Sequence, residues 1–142
     1  MFAGLDWLAI LGGLAVGFGV MMVIAIIIAI VEFASIHKET GLDVLEDEES
    51  FNKMMEERLL KDTHFQVAIL ILSLLTDMLG GYYTARWADH SPYLHAGIMG
   101  AFGIALSWSV DWRSVTPLWH MLAWTLLGIP AALLGAWFCC PA

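Results

Sequence analysis

Two acidic residues lie inside long apolar segments, and they are the side chains of this sequence best placed to do chemistry. Asp77 is near the middle of its segment, and Glu32 is one turn inside the boundary of another. An ionised carboxylate near mid-bilayer is costly unless it is paired or hydrated. Asp77 and Glu32 are therefore candidates for an ion or proton site. The alternative for Asp77 is a hydrogen-bonded packing residue that fixes the register of two helices.

The neighbours of Asp77 on a helix are small. Ser73 precedes Asp77 by four residues, and Gly81 and Ala85 follow it at intervals of four, which places all four residues on one helical face. Such a face fits close contact with another helix, and it equally fits a water-filled crevice. The row leaves both interpretations of Asp77 open.

The composition indicates which solvent surrounds these acids. Of 142 residues, 60% are hydrophobic and 14% are charged, and the mean hydropathy is +0.77. Soluble domains average about 45–50% apolar and about 25% charged residues. We therefore predict an all-α transmembrane four-helix bundle in the lipid bilayer. It forms one domain over residues 1–142, with spans at about 8–36, 64–86, 93–110 and 117–138.

The polar segment at about 37–62 holds nine of the fourteen acidic residues. We expect long first and second helices to form an extramembrane acidic hairpin here. Gly41 is the expected cap of the first helix. A second helix is expected to run without interruption from about Ser50 to about Trp87, because no Gly or Pro separates its polar and apolar parts.

The hairpin also carries an apolar stripe that is a candidate surface for docking a partner protein. Its members recur at helical spacing and are Phe51, Met54, Met55 and Leu59. An acidic helix is poorly suited to an anionic lipid surface, which attracts Lys and Arg. The stripe therefore either packs on the first helix or docks a protein.

Glycines mark the faces on which these helices are expected to pack. The candidate packing residues are Gly13, Gly17, Gly80, Gly81, Gly97 and Gly100. Helix association in lipid depends on small residues that let two backbones approach closely. Assembly into a homo-oligomer or a larger membrane complex is the expectation that follows.

Other polar residues collect near the span boundaries. A cluster at one face would contain His64, Asp111, Arg113 and His120. A structural network of caps and salt bridges accounts for them, since boundary side chains can reach water. His90 and His95 are expected near the opposite face.

Motifs for enzymes and metals are missing from the sequence. It has no G-x-S-x-G, H-E-x-x-H or P-loop pattern, so we predict neither a catalytic site nor a cofactor. It also has no basic patch for nucleic acid. Cys139 and Cys140 are adjacent, and neighbouring cysteines rarely bridge each other. They either end a helix as small apolar residues or form an intermolecular disulfide or a metal-binding tail.

Basic residues give the expected orientation. The hairpin side carries Lys38, Lys53, Arg58, Lys61 and Arg113. Arg86 is the one basic residue on the other side. The excess of Lys and Arg puts the hairpin in the cytoplasm and both termini outside.

Residues 80–100 read G-G-Y-Y-T-A-R-W-A-D-H-S-P-Y-L-H-A-G-I-M-G. The stretch resembles a group of small bacterial four-span membrane proteins of uncharacterised function, whose second span ends in Gly-Gly-Tyr-x-x-Ala-Arg. The resemblance implies a four-helix fold in the bacterial inner membrane and no particular activity. In that group the Arg side is usually cytoplasmic, which opposes the orientation given by the basic residues.

The sequence is compatible with two functions. The first is a non-enzymatic oligomeric or accessory subunit of a membrane complex. The second is a small oligomeric transporter or channel that uses Asp77, with Glu32, for protons or cations.

Overall fold

Four α helices make up most of the described structure. The computed structural model describes residues 5–40, 49–50, 53–54, 57, 61–109 and 116–141. Its helices are α1 (Trp7–Thr40), α2 (Thr63–Trp87), α3 (Pro92–Ser109) and α4 (Leu118–Cys139). Because these described ranges contain no strand, the all-α, four-helix prediction is confirmed for them.

Asp6 determines where α1 begins. Its Oδ1 accepts hydrogen bonds from the backbone N–H of Leu8 at 3.1 Å and of Ala9 at 3.2 Å. The first N–H groups of a helix have no partner within the helix, and an aspartate at the cap position supplies one. The capping carboxylate fixes the start of a helix 34 residues long, or about 51 Å at 1.5 Å per residue.

An uninterrupted second helix from Ser50 to Trp87 was the wrong prediction. Ser50 and Lys61 are helical, but Asp62 has an extended backbone and caps a new helix that begins at Thr63. Its Oδ1 accepts from the N–H of His64 at 2.9 Å and of Phe65 at 3.1 Å. An aspartate that captures the N–H groups ahead of it can interrupt a helix without Gly or Pro. The predicted cap Gly41 lies outside the described residues.

Among the described residues, three helices are long and apolar enough to cross a membrane, one fewer than the four predicted spans. They are α1, α2 and α4. α3 has 18 residues and is about 27 Å long, which is slightly less than the roughly 30 Å of a bilayer's hydrocarbon core. It also includes Pro92, His95 and Ser109, which lower its hydropathy.

The helices are arranged around the bundle in the order α1, α2, α4, α3. The most extensive contact joins α2 to α4, and α1 and α4 do not pack directly on each other in the described part of the chain. Gly81 lies against Ala132, and Asp77 lies against Gly128, so residue numbers rise together on the two helices. α2 and α4 are therefore parallel neighbours, with α3 antiparallel to both.

Large apolar side chains cover the outside of this bundle, whereas most of the buried apolar residues in the described part are alanines. One buried cluster consists of Ala85, Ala96 and Ala136, from α2, α3 and α4. On the outside, the exposed apolar side chains of α1 include Phe18, Val23, Ile26, Ile27 and Ile30. A continuous apolar surface of this kind is characteristic of contact with lipid or another protein.

Candidate functional site

Asp77 lies at the contact between α2 and α4. The indole Nε1 of Trp124 donates a hydrogen bond of 2.8 Å to Oδ2 of Asp77. Gly128, one turn further along α4, leaves room for the same carboxylate, because a Cβ there would come within 3.3 Å of Oδ2. Trp124 is the one hydrogen-bond donor to Asp77 among the described residues, and no described Lys, Arg or His forms a salt bridge with it. The Asp77 side chain therefore connects α2 to α4.

The rest of the α2–α4 contact continues the face that carries Asp77. A Cβ on Gly81 would overlap the carbonyl oxygen of Ala132. A Cβ on Gly135 would likewise overlap the carbonyl oxygen of Met78. Two helix backbones can approach this closely only where glycine leaves out the side chain. In lipid the hydrophobic effect does not drive helices together, so close packing of this kind is what holds them in contact.

A second close contact joins α1 to α2. Gly13 lies beneath Thr84, so that a Cβ on Gly13 would overlap the Oγ1 of that threonine. Gly80 faces the carbonyl oxygen of Gly13, and Gly17 faces that of Thr76; the added Cβ atoms would lie 3.0 and 3.2 Å from those oxygens. Thr84 is buried, and its Oγ1 has no hydrogen-bond partner among the described residues.

The glycines of α3 make looser contacts. A Cβ on Gly100 would lie 3.3 Å from the Cβ of Ala132, which is tight but does not overlap it. Gly97 has only Leu133 near, at the ordinary contact distance of 3.7 Å. Of the two, Gly100 is therefore the one at which added volume would press on α4.

Glu32 and Asp77 are at different depths and do not form one site. Gly17 of α1 packs against Thr76, which precedes Asp77. Glu32 is fifteen residues further along α1, which corresponds to about 22 Å along the helix axis. Glu32 is half-buried and has an interaction of its own within the chain.

His95 is a buried polar contact that its sequence position did not reveal. Its Nε2 accepts a hydrogen bond of 2.9 Å from the backbone N–H of Asp6. Its Nδ1 lies 3.0 Å from the carbonyl oxygen of Ser91 and so carries the ring proton that it donates there. The imidazole therefore links the start of α3 to the residue that caps α1.

The boundary residues are only partly described, and the two described histidines have separate roles. His64 is exposed, and its backbone N–H is capped by Asp62. His120 is buried, and its ring stacks on that of Trp119 at a centroid distance of 5.6 Å. Asp111 and Arg113 lie outside the described residues.

The candidate docking stripe of the predicted hairpin is described at one position. Met54 is helical and half-buried, whereas Phe51, Met55 and Leu59 lie outside the described residues. Nearby, Lys61 donates a hydrogen bond of 2.9 Å to Glu57 and so lowers the pKa of that carboxyl. This exposed pair is typical of a solvated helix surface.

The cysteines and the acids form no metal centre in the described part. Cys139 and Cys140 are free thiols 3.3 Å apart between their sulfur atoms. The carbonyl oxygen of Cys140 accepts a hydrogen bond of 2.7 Å from the Tyr93 hydroxyl, which ties the end of α4 to the start of α3. No group of three His, Cys, Asp or Glu residues suited to a metal ion occurs among the described residues.

Trp124 was the residue of this site that the sequence analysis missed. It occurs inside the fourth predicted span, at about 117–138. A buried indole N–H usually needs an acceptor, and Asp77 is the one acid near the middle of a span. The presence of one such donor and one such acceptor inside the spans was the sequence signal that could have predicted their hydrogen bond.

The described part of the chain is a bundle of four helices, three of them long and apolar enough to cross a membrane, with the Asp77 carboxylate held between two parallel helices. Comparison with protein-family models, with curated proteins and with solved structures gave no match.

Proposed function

We propose that this chain is a non-enzymatic integral membrane protein that acts as an oligomeric or accessory subunit of a membrane complex. We place it in the bacterial inner membrane, with the acidic hairpin in the cytoplasm and both termini outside. The observation that carries the proposal is the stretch of α1 from Phe18 to Val31, in which no residue is buried. The most apolar 18-residue window of this helix contains no buried residue.

The packing of α1 against the other helices is uneven along its length. This unevenness supports the proposal that part of α1 is a surface for association with another chain. Its first half meets both α2 and α3, through Gly13 on one side and the Trp7–Phe102 ring contact, at 6.1 Å, on the other. Beyond Gly17, many apolar side chains of α1 are exposed; they are Phe18, Met22, Val23, Ile26, Ile27, Ile30 and Val31. A second copy or a larger partner can cover this surface with matching apolar helices.

Gly19 offers a direct test, because a Cβ at this position has no atom of the chain within 4 Å. Gly19→Leu adds bulk to the bare face of α1 without a clash inside the protomer. The proposal expects it to weaken the assembly seen by size-exclusion chromatography or native mass spectrometry in mild detergent. Leu126→Trp, on an exposed position of α4, is the control and should leave assembly intact. A wild-type chain that remains a lone monomer, without a co-purifying protein, would contradict the proposal.

The alternative, a small oligomeric transporter or channel for protons or cations, is favoured by one observation. Asp77 is an acid with a single described donor, Trp124, inside a helix able to cross a membrane. Transport at this carboxylate predicts that Asp77→Asn abolishes flux in proteoliposomes while oligomer size stays unchanged. Undiminished flux in the variant would exclude a carboxylate mechanism at this site.

A further inference from the structure

An apolar groove of 420 Å³ runs along α2 between α1 and α4. α1 contributes Val20 and Ile24 to one wall, and α4 contributes Phe138 to the other. α3 contributes no lining residue, so the groove opens on the side of α2 away from that helix. The lining is almost entirely apolar, so a flexible hydrocarbon chain can lie along it.

The residues of α2 that form the floor of the groove share a helical face with a charged residue beyond one end of the groove. The floor follows α2 at alternating spacings of three and four residues, through Leu72, Leu75, Leu79 and Tyr82. The next position in this series is Arg86, so the guanidinium stands on the same helical face, one turn beyond Tyr82. Arg86 is exposed, and no described residue forms a salt bridge or hydrogen bond with it.

The dimensions match one leaflet of a bilayer. Arg86 and Leu75 are eleven residues apart, or about 16 Å along the helix. Half of a hydrocarbon core of roughly 30 Å is about 15 Å. Aromatic rings surround the Arg86 end of the bundle, as in the interfacial belts of membrane proteins; they belong to Tyr83, Trp87, Tyr93 and Trp137.

We propose that this groove is a binding site for one anionic phospholipid. An acyl chain lies on the apolar floor from Tyr82 to Leu75, and the phosphate binds the Arg86 guanidinium. Arginine recognises phosphate through paired N–H donors, and its charge favours anionic over zwitterionic headgroups. The carboxylate of Asp89 follows three residues later, beyond the end of α2, and forms no salt bridge with Arg86. The inference rests on the membrane location in the proposed function but not on assembly.

Native mass spectrometry of the full chain in detergent, titrated with phosphatidylglycerol or phosphatidylcholine, tests the site. Wild-type protein should retain one phosphatidylglycerol more tightly than phosphatidylcholine. Arg86→Gln should weaken that binding at least fivefold, since one basic residue at a membrane surface contributes about that factor. Arg86→Lys, which keeps the charge but not the paired donors, should fall between the two.

A second variant tests the apolar part independently of the charge. Leu79→Trp fills the groove floor and should remove the tightly bound lipid, whereas Leu126→Trp, outside the groove, should retain it. Circular dichroism confirms that each variant is folded. Excess inorganic phosphate should not displace the lipid, because it cannot occupy the groove.

Three outcomes would overturn the lipid site. They are equal retention of both lipids, unchanged binding by Arg86→Gln, and a Leu79→Trp variant that loses assembly but keeps its lipid. The last result would assign the groove to a second copy of the chain. A monomer that binds phosphatidylglycerol selectively would refute the proposed assembly while supporting this site, so the two proposals can fail separately.

Discussion

The Trp124 indole donates a 2.8 Å hydrogen bond to the Asp77 carboxylate across the contact of two parallel helices. One turn on, Gly128 removes the side chain that would press on the same oxygen. The Trp124 donor and the space left by Gly128 together accommodate the Asp77 carboxylate between α2 and α4. The side chain of Asp77, which belongs to α2, is therefore bonded to α4.

Removing the donor should destabilise the bundle. Trp124→Phe keeps an aromatic ring but leaves Asp77 without its described donor, and we expect a loss of about 1–3 kcal/mol in the free energy of unfolding. Trp137→Phe makes the same change at an exposed ring and should have little effect. Thermal unfolding in detergent measures both. Equal stability of the two variants would show that the hydrogen bond contributes nothing.

The α2–α4 contact should not tolerate a single added methyl group at its closest point. Gly135→Ala places a Cβ against the Met78 carbonyl and should lower the free energy of unfolding by about 1–3 kcal/mol through overpacking. Gly19→Ala adds the same methyl group in open space and should be neutral or slightly stabilising. The comparison is again made by thermal unfolding, and a stable Gly135→Ala variant would contradict the close approach.

Thr84 should be replaceable by an apolar residue of the same shape. Its buried Oγ1 lacks a described partner, so Thr84→Val removes an unsatisfied polar atom and should leave stability unchanged or raised by up to about 1 kcal/mol. Thr76→Val is the control, because its hydroxyl donates to the Ser73 carbonyl at 2.8 Å and that bond would be lost. A larger loss at Thr84 than at Thr76 would reveal a partner for its hydroxyl.

His95 should hold the first turn of α1. In His95→Ala the backbone N–H of Asp6 loses its acceptor, and amide hydrogen exchange at Asp6, Leu8 and Ala9 should become faster. His90→Ala, at an exposed neighbour whose ring lies 5.3 Å from that of His95, is the matched control. Protection that persists in His95→Ala would mean that the Asp6 cap alone fixes the helix start.

The sequence by itself determined the helical class, because apolar runs of this length satisfy their backbone groups within one segment. It also identified Asp77 and the small-residue face that it shares with Gly81 and Ala85. Those features depend on spacing along one helix, which sequence fixes directly.

Only the tertiary structure decided which helices meet. Small residues occur on every helix, so the sequence could not show that Gly81 faces Ala132 and thereby makes α2 and α4 parallel neighbours. The same limit hid the Trp124 bond to Asp77 and the link from His95 to Asp6, since each joins residues far apart in the chain. The Asp62 break was hidden for a different reason: an aspartate can be solvated within a helix or can cap a new one, and the conformation of the backbone around it selects between the two.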